Sequence, residues 1–193
     1  MVRTLRLVLV GALALYGFVC LLAFALQRRL LYLPDRYPEA TAREAAARLG
    51  LEPWRDARGV LAGWRSTTGP APRARLVVLH GNAGSALDRV HYLRSLSGLG
   101  VEVLLLEYPG YGGRPGEPSL ASLGAAAADA LDGLVAEGPE PIWVLGESLG
   151  SGVAGRAVAL RPGVVRGLVL VTPFARMSEV VRRHYPILPG FLL

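Results

Sequence analysis

The five residues Gly146-Glu147-Ser148-Leu149-Gly150 fit the pattern G-x-S-x-G, between the apolar run "PIWVL" and the small-residue segment "GSGVAGRAVALR". A serine hydroxyl attacks a carbonyl only when a neighbouring base takes its proton. At a sharp strand-to-helix turn, glycines two residues to either side relieve the crowding that would otherwise keep the hydroxyl from being presented. Ser148 is therefore the candidate nucleophile, and Gly146 and Gly150 are the elbow glycines. The backbone N–H of Leu149, first in the following helix, is one candidate oxyanion donor, because unpaired N–H groups and the positive end of the helix dipole meet there. Five-residue matches arise by chance in a Gly- and Ser-containing chain. The bland reading is a close-packed turn with an inert serine, and the flanking strand and helix argue against it.

A second part stands upstream. "LVVLHGNAGS" ends an apolar run with His80, Gly81 and Asn82, and the loop after an early strand supplies the other oxyanion N–H in such sites. Asn82 is the candidate for that donor. His80 reads as a brace for the turn rather than as the base. A phosphate loop is disfavoured here, since no Gly-Lys-Ser/Thr ending follows. The base and acid are harder to find. In the order Ser, acid, His, only Glu179 and His184 follow Ser148. They lie five residues apart on one segment, whereas loops after two further strands are expected to carry them.

The elements that must position these groups are legible. "ARLVVLH", "VEVLLLEYPGYGG", "PIWVLGES" and "VRGLVLVTPF" read as strands, with a further one at "GVLAGWRST". "PEATAREAAARLGL", "SALDRVHYLRSLSGLG", "LASLGAAAADALDGLVAEG" and "LGSGVAGRAVALR" read as helices. Strands alternating with helices imply βαβ units and a mostly parallel sheet in an α/β domain. "EYPGYGGRPGEPS" reads as a turn-forming loop with little chemistry of its own, its Tyr108 and Tyr111 packing the loop rather than lining a pocket.

The first thirty residues differ in kind. From Leu7 to Leu26 no side chain is charged, and Arg3, Arg6, Arg28 and Arg29 flank the run. Twenty helical residues span about 30 Å, the hydrocarbon thickness. Residues 1–29 are read as a single-pass membrane anchor and 30–193 as the globular domain. The rival is a signal peptide cut after Ala25, which would release a secreted or periplasmic protein. Arginines on both sides leave the orientation open.

Composition narrows the chemistry. All 21 basic residues are arginine, giving a net charge of +6. Their scatter along the chain argues against a nucleic-acid surface. One cysteine, Cys20, allows no intrachain disulfide. No histidine pair has ligand spacing, which disfavours a metal-dependent hydrolase.

"HGNAGS", "EYPGYGGRPGEPS" and "GESLGSGVA", in that order and spacing, resemble the α/β-hydrolase superfamily. Within it they are similar to the BEM46-like (ABHD13-type) membrane-anchored serine hydrolases, and the likeness covers nearly the whole chain. The resemblance implies an eight-stranded core sheet and a Ser-Asp-His triad. It also implies ester or thioester hydrolysis through an acyl-enzyme at Ser148, with a small-molecule or lipid-like acyl substrate. No cofactor and no metal is implied, since serine, histidine, carboxylate and water suffice. A dehalogenase would carry Asp at position 148. "HYPILPGFLL" closes the chain on apolar residues, so the expectation is a hydrolase domain truncated before its last strands, barely active as it stands. The alternative is a catalytically inactive, hydrolase-like interaction module at the membrane.

Overall fold

The computed structural model describes residues 2–66, 72–187 and 189. The order of elements is α1 (Val2–Leu31), β1 (Leu33–Pro34), α2 (Glu39–Arg48), β2 (Leu51–Arg55), β3 (Leu61–Ser66), β4 (Ala74–Leu79) and β5 (Ala83–Gly84). There follow a 3₁₀ turn (Ala86–Arg89), α3 (His91–Ser95), β6 (Val101–Leu106), α4 (Leu120–Glu137), β7 (Ile142–Glu147), α5 (Leu149–Leu160), β8 (Val165–Val171) and α6 (Met177–His184). They form two compact units: Tyr32–Pro173, and residues 2–31 together with the described residues after Pro173.

In the larger unit six strands pair in the order β2-β3-β6-β4-β7-β8. β3 runs antiparallel to both β2 and β6, while β6, β4, β7 and β8 are mutually parallel. The parallel strands at the centre are continuous apolar runs because helices cover both faces. Val77, Val78 and Leu79 of β4, and Leu104, Leu105 and Leu106 of β6, are all buried. Each such side chain is worth about 1.5–3 kcal/mol on burial. α4 starts at Ser119, whose Oγ accepts the Ser122 N–H at 3.0 Å while the Ser122 Oγ accepts the Ser119 N–H at 2.9 Å. α4 then buries an alanine-rich face, and α5 packs beside it.

β8 is different. Among the described residues it is an edge strand, and Leu168, Val169 and Leu170 on its two faces are 40–44% exposed.

At the N-terminal end of the parallel strands, arginine serves several carboxylates at once. The Arg65 Nε and Nη2 donate to Glu102 Oε1, and Nη2 also reaches Glu137 at 2.9 Å. Arg75 bridges Glu102 and Glu140 and donates to the Leu134 carbonyl at the end of α4.

Two expectations change here. "SALDRVHYLRSLSGLG" forms only the 3₁₀ turn and the five-residue α3 rather than one helix. A capping box between Ser85 and Asp88 starts the 3₁₀ turn, and left-handed glycines at Gly98 and Gly100 end the region early. "LEPWR" pairs as β2, a strand where the sequence predicts no element between the helix ending near Gly50 and the turn before "GVLAGWRST". The "GVLAGWRST" strand runs from Leu61 to Ser66, and Thr67 lies outside the described residues.

The smaller unit contains α1, 30 residues with no buried side chain, long and apolar enough to cross a membrane.

Candidate active site

β4 and β7 are register neighbours, with Leu79 opposite Gly146. The loops that leave them therefore emerge side by side at the C-terminal edge of the sheet, where open α/β sheets bind ligands.

Ser148 sits at the β7–α5 junction with φ 51° and ψ −114°. A left-handed φ in a non-glycine residue costs on the order of 1–3 kcal/mol and survives only where the surroundings impose it. Those surroundings are visible. The Ser148 N–H donates to the Val171 carbonyl at 2.9 Å, and its own carbonyl accepts from the Ser151 N–H (2.8 Å) and the Ser151 Oγ (2.6 Å). A side chain at Gly146 would meet the Gly150 carbonyl oxygen at 2.5 Å. One at Gly150 would collide with the Leu79 carbonyl and lie 2.8 Å from that of His80. Both elbow glycines are thus required by backbone on the opposite side. Leu149 opens α5 immediately after the serine.

The loop after β4 comes to the same place. A Cβ built on Gly81 would lie 3.9 Å from Ser148 Cβ, so this glycine rests against the serine, and Asn82 follows it. The Asn82 carbonyl accepts from the Leu33 N–H at 2.9 Å and from the Tyr111 hydroxyl at 2.8 Å.

His80 is enclosed rather than presented at this rim. Its ring is buried, stacks on Tyr108 at 4.1 Å, and has Nδ1 2.9 Å from the Gly81 carbonyl and Nε2 3.6 Å from Glu107. Tyr108 and Tyr111 are fully buried as well; the Tyr108 hydroxyl donates to the His80 carbonyl. Burial holds both phenols above their usual titration range. The bracing role of His80 and the packing role of the tyrosines follow from these contacts.

Three charged groups at the site were not recognised from sequence: Glu147, Arg89 and Glu107. Glu147, the variable residue of the motif, forms a two-pronged ion pair with Arg89, whose Nε and Nη2 lie 3.1 and 3.0 Å from the two carboxylate oxygens. The pair fastens the 3₁₀ turn to the end of β7, one residue before Ser148. Glu107, in a stretch credited with little chemistry, is fully buried, and its Oε1 accepts the Ala86 N–H at 3.0 Å. Gly112 packs directly on that carboxylate.

Glu179 stands in the first turn of α6, and residue 184 ends that helix. Both belong to the smaller unit, while Ser148 belongs to the larger. Positions five apart on a helix are not neighbours on its surface, which meet at spacings of three and four.

Residues 70–192 match the family model described as serine aminopeptidase, S33. An uncharacterized protein of Mycobacterium tuberculosis is 38% identical over 195 residues, covering 97% of this chain and 67% of its own length. The lysophosphatidylserine lipase ABHD12 of Danio rerio is 32% identical over 151 residues, covering 72% of this chain and 39% of that protein. Among solved structures, a putative lipase from Acinetobacter baumannii superposes with a TM-score of 0.58 at 20% identity, over 79% of this chain and 52% of that one. A carboxyl esterase from Bacillus coagulans gives 0.54 at 20%, over 69% and 48%. These two share the fold. The chain spans about half the length of the solved hydrolases it matches.

Proposed function

The chain belongs to the serine aminopeptidase S33 family of α/β-hydrolases, and from that premise we propose that Ser148 is the nucleophile of an acyl hydrolase. The observation that carries this is the strained Ser148 backbone, enforced between Gly146 and Gly150 at a strand-to-helix junction. Such strain in a residue other than glycine clusters at functional sites, and at Ser148 it coincides with the G-x-S-x-G pattern at the C-terminal edge of the sheet. In the reaction the Ser148 Oγ attacks the acyl carbonyl and gives its proton to a base. The alkoxide or thiolate of the substrate then leaves with a proton, and water releases the acyl group. The Leu149 N–H and the loop at Asn82 stabilise the oxyanion. His80 is set aside as the base, because its ring is buried, stacked on Tyr108 and held with Nδ1 at the Gly81 carbonyl.

An ester or thioester with a lipid-like acyl group is the proposed substrate. The relatives support it: one is named a lysophosphatidylserine lipase, and structural neighbours are named lipases and esterases. The three motifs favour a place near the BEM46-like branch. α1 is proposed as a single-pass anchor that keeps the site at the membrane; removal as a signal sequence is the competing fate.

The test is labelling with a fluorophosphonate, read by mass spectrometry at Ser148, in this chain and in Ser148→Ala. A covalent adduct at Ser148, absent from the variant, is the expected outcome, formed slowly because His80, the histidine beside the site, is not available as its base. A folded chain that never labels would favour a hydrolase-like interaction module instead.

A further inference from the structure

The residues through which the chain leaves α1 are built into the oxyanion loop. Only Tyr32 separates Leu31, the last residue of α1, from Leu33. β1 then runs parallel to β5, with Leu33 opposite Ala83 and Pro34 opposite Gly84. The Leu33 N–H donates to the Asn82 carbonyl and the Asp35 N–H to the Gly84 carbonyl, each at 2.9 Å. The other side of the same segment is fastened to the loop after β6. The Gly112 N–H donates to the Asp35 carbonyl at 2.7 Å, the Tyr37 N–H to the Gly112 carbonyl at 3.2 Å, and the Arg36 Nε to the Gly110 carbonyl at 2.8 Å. Tyr111, from that second loop, completes the circuit by donating to the Asn82 carbonyl.

A two-residue ladder has no stability of its own, since isolated strand pairs are marginal even when longer. Its bonds hold because both flanking loops are already anchored to the sheet, and they converge on the three residues Asn82–Gly84. Those residues carry the proposed second oxyanion donor, where a misplacement of about 1 Å costs on the order of 10²-fold in rate.

We propose that Leu33–Tyr37 is a positioning strut of the catalytic site, holding Asn82–Gly84 in the geometry that oxyanion stabilisation requires. The proposal rests on the assignment of Ser148 as nucleophile. It makes the segment leaving α1 part of the catalyst, so that cutting or distorting this segment weakens the site even with the sheet intact.

The test uses the full chain in detergent micelles, with Leu33→Pro and Asp35→Pro each deleting one N–H donor. Where a proline variant fails to fold, as judged by tryptophan fluorescence, Tyr111→Phe removes the other bond to the same carbonyl. Amide hydrogen exchange of the peptide spanning residues 81–86 is expected to quicken at least tenfold while that of β7 is unchanged. Fluorophosphonate labelling is expected to slow at least tenfold in the rate at saturating probe, with probe affinity unaltered. Unchanged exchange in residues 81–86, or faster exchange with undiminished labelling, overturns the strut. A parent chain that does not label at all removes the nucleophile assignment and the strut's catalytic role together, and is distinguished from the other failures by that fact.

Discussion

Gly146 gives the sharpest test of how the elbow is held. In Gly146→Ala the new Cβ would lie 2.5 Å from the Gly150 oxygen and 2.8 Å from both Gly150 C and Ser151 Cα, where ordinary contact begins at 3.4 Å. The deficit against the oxygen is 0.9 Å. All three neighbours are backbone of the first turn of α5, so no side chain can swing aside, and that turn is pinned by the Ser151-to-Ser148 hydrogen bonds. Overpacking of this kind costs about 1–3 kcal/mol, and for a unit of this size each kcal/mol lowers Tm by roughly 2–4 °C. Gly155, in the same helix, has no atom within 4 Å of its would-be Cβ. Gly155→Ala should therefore gain close to the ~0.8–1 kcal/mol by which alanine exceeds glycine in a helix. The assay is thermal unfolding followed by tryptophan fluorescence, because Trp54, Trp64 and Trp143 all lie in the Tyr32–Pro173 unit. The expected result is a fall of roughly 2–12 °C for Gly146→Ala and a rise of roughly 2–4 °C for Gly155→Ala. A Gly146→Ala protein melting with its parent, or two variants falling equally, would refute the reasoning.

Other consequences are as open to measurement. Glu147→Ala strands the largely buried guanidinium of Arg89 and should cost about 2–3 kcal/mol. A double-mutant cycle with Arg89→Ala should return a coupling of about 1–3 kcal/mol, and a coupling near zero would show the pair to be incidental. Tyr108 and Tyr111 titrate higher folded than unfolded because burial disfavours the phenolate. Above pH ~10 the unfolded chain loses protons that the folded chain keeps, so stability complete below that pH is lost as pH rises through it. Each tyrosine contributes a slope of up to about 1.4 kcal/mol per pH unit; denaturant midpoints at pH 9 to 11 measure it, and Tyr108→Phe should flatten the decline. On β8, Leu168→Lys with Leu170→Lys should reduce light scattering on warming, since charge on an exposed edge strand blocks pairing between copies, while Tm moves by no more than about 1 °C; scattering equal to the parent's would discount the edge as the sticky surface.

The sequence made the frame visible where one signal was enough. β4, β6 and β7 are unbroken apolar runs, and α4 and α5 are small-residue helices with clear ends. β2 was hidden because Pro53 and its charged neighbours give "LEPWR" no apolar run, and its pairing with β3 supplies what propensity does not. β1 and β5, two residues each, carry no local signal at all; their bonds exist only because distant loops meet. At the site, Ser148 was legible because a strained turn demands glycine on both sides. Arg89 and Glu147 are 58 residues apart, and nothing local announces an ion pair at that range. A charged residue in the variable position of the motif, with an arginine just past "HGNAGS", was the available clue. Glu107 escaped notice because a carboxylate at a strand end usually meets water, whereas this one is enclosed by Ala86, Gly112 and His80.

The φ of 51° at Ser148 also bears on how this gene ages. Glycine adopts that backbone without penalty, so Ser148→Gly should return part of the ~1–3 kcal/mol that the strain withholds. A lineage relieved of catalysis would find stability alone drawing position 148 toward glycine, a downhill path for mutational drift. On the proposed assignment of Ser148 as nucleophile, the stability gained in Ser148→Gly measures how strongly selection for chemistry opposes that drift.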